Sequence, residues 1–142
     1  MTSSKSRKSE KFDNSVVQEF IEDDPADAKI KVGVIAEMTG DMPAVGASCK
    51  NAALLAVKEI NAAGGLEVGG AKKKIELCLE DNAGKADQSA SAAMKLITQQ
   101  EVLAIIGPNA SRYTIPAAEI AETSKTVLIT PWSTNPKTTL DA

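Results

Sequence analysis

With 142 residues, the chain is the size of about one ordinary domain. Its 16 basic and 19 acidic residues give a net charge of −3. That balance lacks the basic stripe of a phosphate-backbone binder, so nucleic acid is not an expected partner. Histidine is absent, which excludes His-based triads and His-ligated zinc, and two cysteines are too few for a disulfide scaffold or a four-cysteine metal site. No metal and no cofactor is expected.

Aromatics make up 3% (Phe12, Phe20, Tyr113 and Trp132), so Ala, Ile, Leu and Val must build the core. Residues 1–12 are rich in Ser and Lys. Residues 14–22 suit a short helix, with Asp13 or Asn14 as N-cap and Val16, Val17, Phe20 and Ile21 on one side. Glu22-Asp23-Asp24-Pro25 ends it. Residues 1–28 read as a flexible tail or linker; a helix docked on the body is the alternative. They hold no apolar run of ~7–15 residues such as a signal peptide needs. Nowhere does the chain approach the ~20 apolar residues of a membrane span.

From Ile30 onward, short apolar runs alternate with longer helical patterns. Ile30 to Ile35 predicts a buried strand. A helix follows over about 46–63, with Ala47, Leu54, Leu55, Val57 and Ile60 on its apolar side and Gly64-Gly65 as its stop. Lys74 to Leu79 alternates, with Ile75, Leu77 and Leu79 set against Glu76, Cys78 and Glu80, as an edge strand does. The next helix spans about 86–100, with Ala90, Ala93, Met94 and Ile97 inward. Val102 to Ile106 is a second buried strand. A third helix over about 112–123 turns Ile115, Ala118 and Ile120 inward, and Pro116 is tolerable there only near the first turn. Val127 to Thr130 is the fourth strand, ended by Pro131.

This β-α-β-α-β-α-β order predicts an α/β fold, a doubly wound parallel sheet in three α/β/α layers. Two buried strands at the centre and an alternating one at the edge give the order 2-1-3-4, of the flavodoxin-like kind. Ligands in such sheets bind beyond the carboxyl ends of the strands, where the order reverses. The loops there are 37–46, 107–112 and 131–136, carrying Thr39, Gly40, Gly46, Asn109, Ser111, Ser133 and Thr134. Ser111 opens a helix. It either caps that helix or joins the free N–H groups in holding an anion such as a carboxylate. Trp132 either packs on a neighbouring helix or walls a ligand.

Other chemistries fail on the residues. Glu37-Met38-Thr39-Gly40-Asp41 is no dinucleotide loop, and Gly84-Lys85-Ala86 is no P-loop. Gly107-Pro108-Asn109 stands where a phosphoacceptor would need Asp. Glu80-Asp81 reads as a solvated strand end, and Glu37 and Asp41 have no nucleophile or metal-ligand set beside them. No catalytic constellation is present, so an enzyme is not expected.

Five segments in order carry a resemblance. Ile30-Lys31-Val32-Gly33-Val34-Ile35 with Met38-Thr39-Gly40 is similar to the first strand and loop of the type I periplasmic binding proteins, in the leucine/isoleucine/valine-binding branch. The stretch from Ala53 to Gly65, ending Glu59-Ile60-Asn61-Ala62-Ala63-Gly64-Gly65, resembles that family's first helix. Glu80-Asp81-Asn82-Ala83 with Asp87-Gln88-Ser89-Ala90 resembles its second strand end and next helix start. The segments 105–111 and 129–136 resemble its two ligand loops.

The resemblance implies a two-lobed solute receptor that closes on its ligand like a clamshell. It implies that Ser111 holds an amino acid's carboxylate, flanked by Asn109 and Ala110. Thr134 and Ser133 would add hydroxyls, and the backbone at Trp132 would take the ammonium. Thr39 and Val45 would come from the first loop, Val45 standing where relatives place an aromatic. Trp132 stands where leucine-type receptors carry a small residue, which reshapes the side-chain pocket. Some relatives bridge the ends of two strands with a disulfide; Gly84 and Ala110 occupy those positions here.

The chain stops at Ala142, before the fifth strand and second lobe that the resemblance implies. Residues 29–142 are therefore expected to be the N-terminal lobe of a solute-binding protein for an ABC-type importer. Its partners would be an amino acid or related solute, a membrane permease and the missing C-terminal lobe. Family resemblance implies a periplasmic or membrane-tethered extracellular site, whereas the chain's own start reads as cytoplasmic. The alternatives are a cytosolic or receptor-linked ligand-sensing domain of the same fold, and a half-lobe that pairs through its last strand.

Overall fold

A computed structural model describes residues 29–139. The reading of residues 1–28 as a tail or short helix lies outside them. The described chain runs β1 (Ile30–Ala36), α1 (Pro43–Ala62), β2 (Leu66–Val68), β3 (Ala71–Lys73), β4 (Ile75–Asp81), α2 (Ala86–Thr98), β5 (Ala104–Ile106), α3 (Ser111–Thr123) and β6 (Val127–Ile129). A 3₁₀ turn, Pro136–Thr138, follows.

The main sheet has the order β4-β1-β5-β6, all parallel. This is the expected 2-1-3-4 arrangement, with the alternating strand at one edge. One element was not expected. β2 and β3 form a separate antiparallel hairpin about Gly69 and Gly70, whose φ values are +59° and +81°. Two adjacent left-handed residues make the tight turn whose twist suits a hairpin, and Gly-Gly between Val68 and Ala71 is its signal.

The two faces of the sheet are packed unequally. On one, Ile35, Cys78 and Ile105 meet Ala92, Ala93 and Leu96 of α2 and Ala117 of α3. Gly33 makes this approach possible, because a Cβ there would stand 2.8 Å from a Leu96 methyl. On the other face, Val34 and Ala36 meet Ala53 of α1, edged by Met38, Leu77 and Ile106. Leu128 packs toward the first cluster. Its neighbours Val127 and Ile129 alternate to the α1 side and stay 59% and 62% exposed.

Several inward stripes differ from expectation. α1 begins at Pro43, a residue suited to the first helical position, and buries Gly46 and Ala53. Leu54 and Leu55 are exposed. α2 buries Ser89, Ala92, Ala93 and Leu96, and leaves Met94 exposed. Ser89 is drawn inward because its hydroxyl accepts from Asn82 Nδ2 (2.9 Å) and donates to the Lys85 carbonyl (2.9 Å). α3 buries Tyr113, Thr114, Ala117, Ala118 and Ala121, with Ile115 and Ile120 only partly covered. Pro116 is its sixth residue, past the first turn. In β4, Cys78 is buried and Leu79 exposed, since α2 covers the side that alternation marked as wet.

Glu80 and Asp81 are not a merely solvated strand end either. Glu80 accepts from Lys95 (2.7 Å) and Gln100 (3.0 Å). Asp81 accepts from the N–H groups of Met38, Thr39 and Ala83 and from the Thr39 hydroxyl at 2.7 Å. Burial pushes this carboxyl up, but the Thr39 hydroxyl and the three N–H groups outweigh it and hold it below its usual value.

A Cβ on Gly46 would stand 2.2 Å from the Glu37 carbonyl oxygen. Gly46→Ala gains about 1 kcal/mol of helix propensity. The overlap with backbone costs more, so a net loss of about 1–2 kcal/mol is expected in urea unfolding. The depressed Asp81 contributes stability above the unfolded carboxyl value of about 4, and that contribution fades as pH falls through the lower folded value. The urea midpoint of Asp81→Asn is expected to lie below wild type at pH 7 and to converge with it in acid. A constant gap across that range would show that the charge is not what matters.

Candidate functional site

The loops after β1, β5 and β6 meet at the carboxyl end of the sheet. Glu37, the first residue beyond β1, is fully buried. Its Oε1 accepts from the N–H groups of Asn109 (3.1 Å) and Ala110 (3.4 Å), and its Oε2 from Asn109 Nδ2 (2.6 Å). Four residues on, Asp41 accepts from the Tyr113 hydroxyl (3.0 Å) and pairs with Arg112. The Arg112 guanidinium also lies over the Tyr113 ring, 4.6 Å from its centre. The first loop is thus tied to the start of α3 at two points.

Ser111 does not cap its own helix. The N-cap is Ala110, and no side chain bonds there. The Ser111 hydroxyl oxygen instead accepts from Ser133 Oγ (2.9 Å) and from the N–H groups of Thr134 (3.3 Å) and Asn135 (3.2 Å). Ser133 also shares a 2.6 Å hydrogen bond with Thr138. Thr130 secures the same loop, donating to the Pro108 carbonyl (2.8 Å) and accepting from Ser133 N–H (3.2 Å). With its oxygen occupied as an acceptor, the Ser111 proton is the group left to donate outward. The Ala110 carbonyl takes the N–H groups of Tyr113 and Thr114 at 2.9 Å each, which leaves those of Ser111 and Arg112 without an acceptor in the helix, and the helix dipole adds positive potential there.

Two hollows open on this end. One, of about 480 Å³, is the more polar of the two and is bordered by Ala110, Ser111, Arg112, Trp132 and Thr134. The other, of about 410 Å³, is largely apolar and lies along α1; Val45, Cys49, Ile106, Asn109, Pro131 and Trp132 contribute to its wall. Trp132 belongs to both and is 55% exposed, standing between them rather than packed down on a helix. Burial, then the charge of Glu37, push the Cys49 thiol up, and a hydrogen bond with Asn109 only partly offsets them. Cys49 and Cys78 are both unpaired, Cys78 lying under α2.

The structure brings seven of the eight expected residues to these hollows or directly behind them. Val45 and Asn109 line the apolar one, Ala110, Ser111 and Thr134 the polar one, Trp132 both, and Ser133 supports Ser111. Thr39 lines neither, because its hydroxyl and N–H both go to Asp81. Glu37, Asp41 and Tyr113 were missed as parts of the site. Their partners lie more than 70 positions away for Glu37 and Asp41, so local pattern carries no trace of them.

Comparison with known proteins identifies relatives of this fold. The family described as "Periplasmic binding protein" matches residues 29–141. The Leu/Ile/Val-binding protein BraC3 of Rhizobium johnstonii is 36% identical over 114 residues, covering 80% of this chain and 30% of its own length. An amino acid binding protein of Pseudomonas aeruginosa is 35% identical over 112 residues, covering 79% and 29%. The chain therefore spans under a third of the length of these relatives. The crystal structure of the branched-chain amino acid transporter substrate-binding protein LivJ of Streptococcus pneumoniae, in complex with isoleucine, superimposes with a TM-score of 0.72. It is 37% identical, covering 78% of this chain and 31% of that one. The ordered motifs, the strand order and these matches agree: the chain belongs to the periplasmic binding protein family.

Proposed function

We propose that this chain forms the carboxylate-holding lobe of a solute receptor, with an amino acid of apolar side chain as its ligand. The observation that carries the reading is the pairing, across Trp132, of a hollow that ends on the Ser111 and Thr134 hydroxyls with a more apolar one. A molecule with a charged head and an apolar tail satisfies both. The carboxylate lies at the start of α3, taking the Ser111 hydroxyl and the N–H groups of Ser111 and Arg112, with the Thr134 hydroxyl beside it. The tail lies against Val45, Ile106 and the Trp132 indole. The ammonium takes a carbonyl of the loop at Trp132.

The reading extends to the whole protein as the family suggests. The receptor works outside the cytoplasmic membrane and hands its ligand to an ABC-type permease, without chemical change to the ligand. Relatives named as amino acid and Leu/Ile/Val-binding proteins support transport. None of them favours a regulatory sensor. A second lobe closes the site from the far side, because Trp132 and Thr134 are open to solvent in this lobe.

The test is a titration of the 142-residue chain with L-isoleucine, followed by amide NMR. Dissociation in the millimolar range is expected, since one lobe leaves much of a small ligand exposed. The shifts should centre on Ser111, Thr134 and the Trp132 indole N–H. Ser111→Ala should weaken binding about 10-fold or more, as the loss of a hydrogen bond to a charged group implies. Submicromolar binding by the monomer would overturn the single-lobe account. Saturable binding that ignores Ser111→Ala would overturn the proposed site.

A further inference from the structure

We infer that Glu37 is a positioning residue for the ligand site, a role that rests on the reading of the Ser111 notch given above. Among the described residues Glu37 is the only buried one with an ionisable carboxyl, and no ion pair there reaches it. Burying a charge is costly unless hydrogen bonds replace the lost water. All three of its donors come from Asn109 and Ala110, the two residues that lead into Ser111. Asn109 lines the apolar hollow and Ala110 the polar one. The carboxylate therefore fixes one wall of each hollow.

The same residue governs the opposite wall through its backbone. The Glu37 carbonyl is the group against which Gly46 packs, so it sets how closely α1 approaches β1. Val45 and Cys49, on either side of Gly46, form the α1 wall of the apolar hollow. Glu37 thus references both α1 and the start of α3 to the end of β1. A simple helix cap would need only one acceptor near the first N–H groups. The third bond, to the Asn109 side chain, instead orients a group in the hollow. Glu37 itself never meets the ligand.

The experiment compares Glu37→Ala, Glu37→Gln and Ser111→Ala in the same 142-residue chain, with L-isoleucine as probe. Gln keeps an oxygen for the Asn109 and Ala110 N–H groups, and its amide can pair with a flipped Asn109 side chain. The expected result is that Glu37→Ala binds about 10-fold more weakly, while Glu37→Gln stays within about 3-fold of wild type. Without ligand, amide exchange at Asn109 and Ala110 should quicken in Glu37→Ala and recover in Glu37→Gln. If Glu37→Ala fails to fold, Glu37→Asp serves instead, expected to keep the wild-type near-UV spectrum and lose affinity.

Wild-type affinity in a folded Glu37→Ala, with Ser111→Ala still impaired, would overturn the positioning role and leave the notch reading intact. An equal loss of affinity in Glu37→Gln and Glu37→Ala would also overturn it, since the charge rather than the held geometry would then be what matters. No binding by the wild-type chain would overturn the notch reading, and this role with it.

Discussion

The position of β1 between β4 and β5 is the constraint on which the rest depends. The chain leaves β1 toward β4 and later returns past β1 to β5. Right-handed crossovers then set α1 on one face of the sheet and α2 and α3 on the other. At the carboxyl end of β1, the loops therefore part and leave a crevice. The fold creates the crevice but does not fix its shape. Its walls are set by polar anchors: Asp81 on Met38 and Thr39, Glu37 on Asn109 and Ala110, and Asp41 on Tyr113. Each ties the loop after β1 to its surroundings (the end of β4, the loop after β5 or the start of α3) through a carboxylate, an acceptor suited to gathering several donors at once.

Much of this architecture was legible in the sequence. Strand order followed from two continuous apolar runs and one alternating run, because burial on both faces of a central strand and one face of an edge strand is what distinguishes them. The structure sets Ser111, Thr134 and Trp132 at the hollows, as expected, because the loops that carry them follow strands directly. The rotations of α1 and α2 were not. The sequence offers Leu54, Leu55 and Met94 as the obvious apolar residues, yet the structure buries Gly46, Ala53, Ser89 and Ala92. Close packing of helix on sheet favours small residues at the point of contact, and hydrophobicity ranks these low. The carboxylates were misread for a related reason. Glu37, Asp41 and Asp81 look like ordinary loop acids until the chain brings their donors near.

The pairing of hollows across Trp132 also bears on selectivity. Trp132 is more than half exposed, so its indole is a surface on which a ligand can lie. A residue of this size narrows the passage between the polar notch and the apolar groove. Under the proposed function, a ligand would bridge the two by an extended route rather than fill one round pocket. On that proposal shape at this point, rather than hydrogen bonding, would discriminate among apolar tails, and such discrimination is worth only about 1–3 kcal/mol per methylene.

The unequal faces of the sheet set the apolar hollow on its less firmly packed layer. α2 and α3 share an extended apolar core with Ile35, Leu96 and Ile105. α1 meets the sheet through the much smaller group of Val34, Ala36 and Ala53. Polar and backbone contacts at its two ends supplement that packing. At one end, Gly46 fits against the Glu37 carbonyl. At the other, Asn61 pairs with the backbone of Ile75 like an added strand, donating to its carbonyl and accepting from its N–H at 2.8 Å each. Directional contacts of this kind fix position more sharply than apolar burial does, but each tolerates little displacement. A shift of α1 moves Val45 and Cys49 together, and with them the width of the apolar groove. The anchors at Gly46 and Asn61 are therefore as much a part of the site's geometry as the residues that line it.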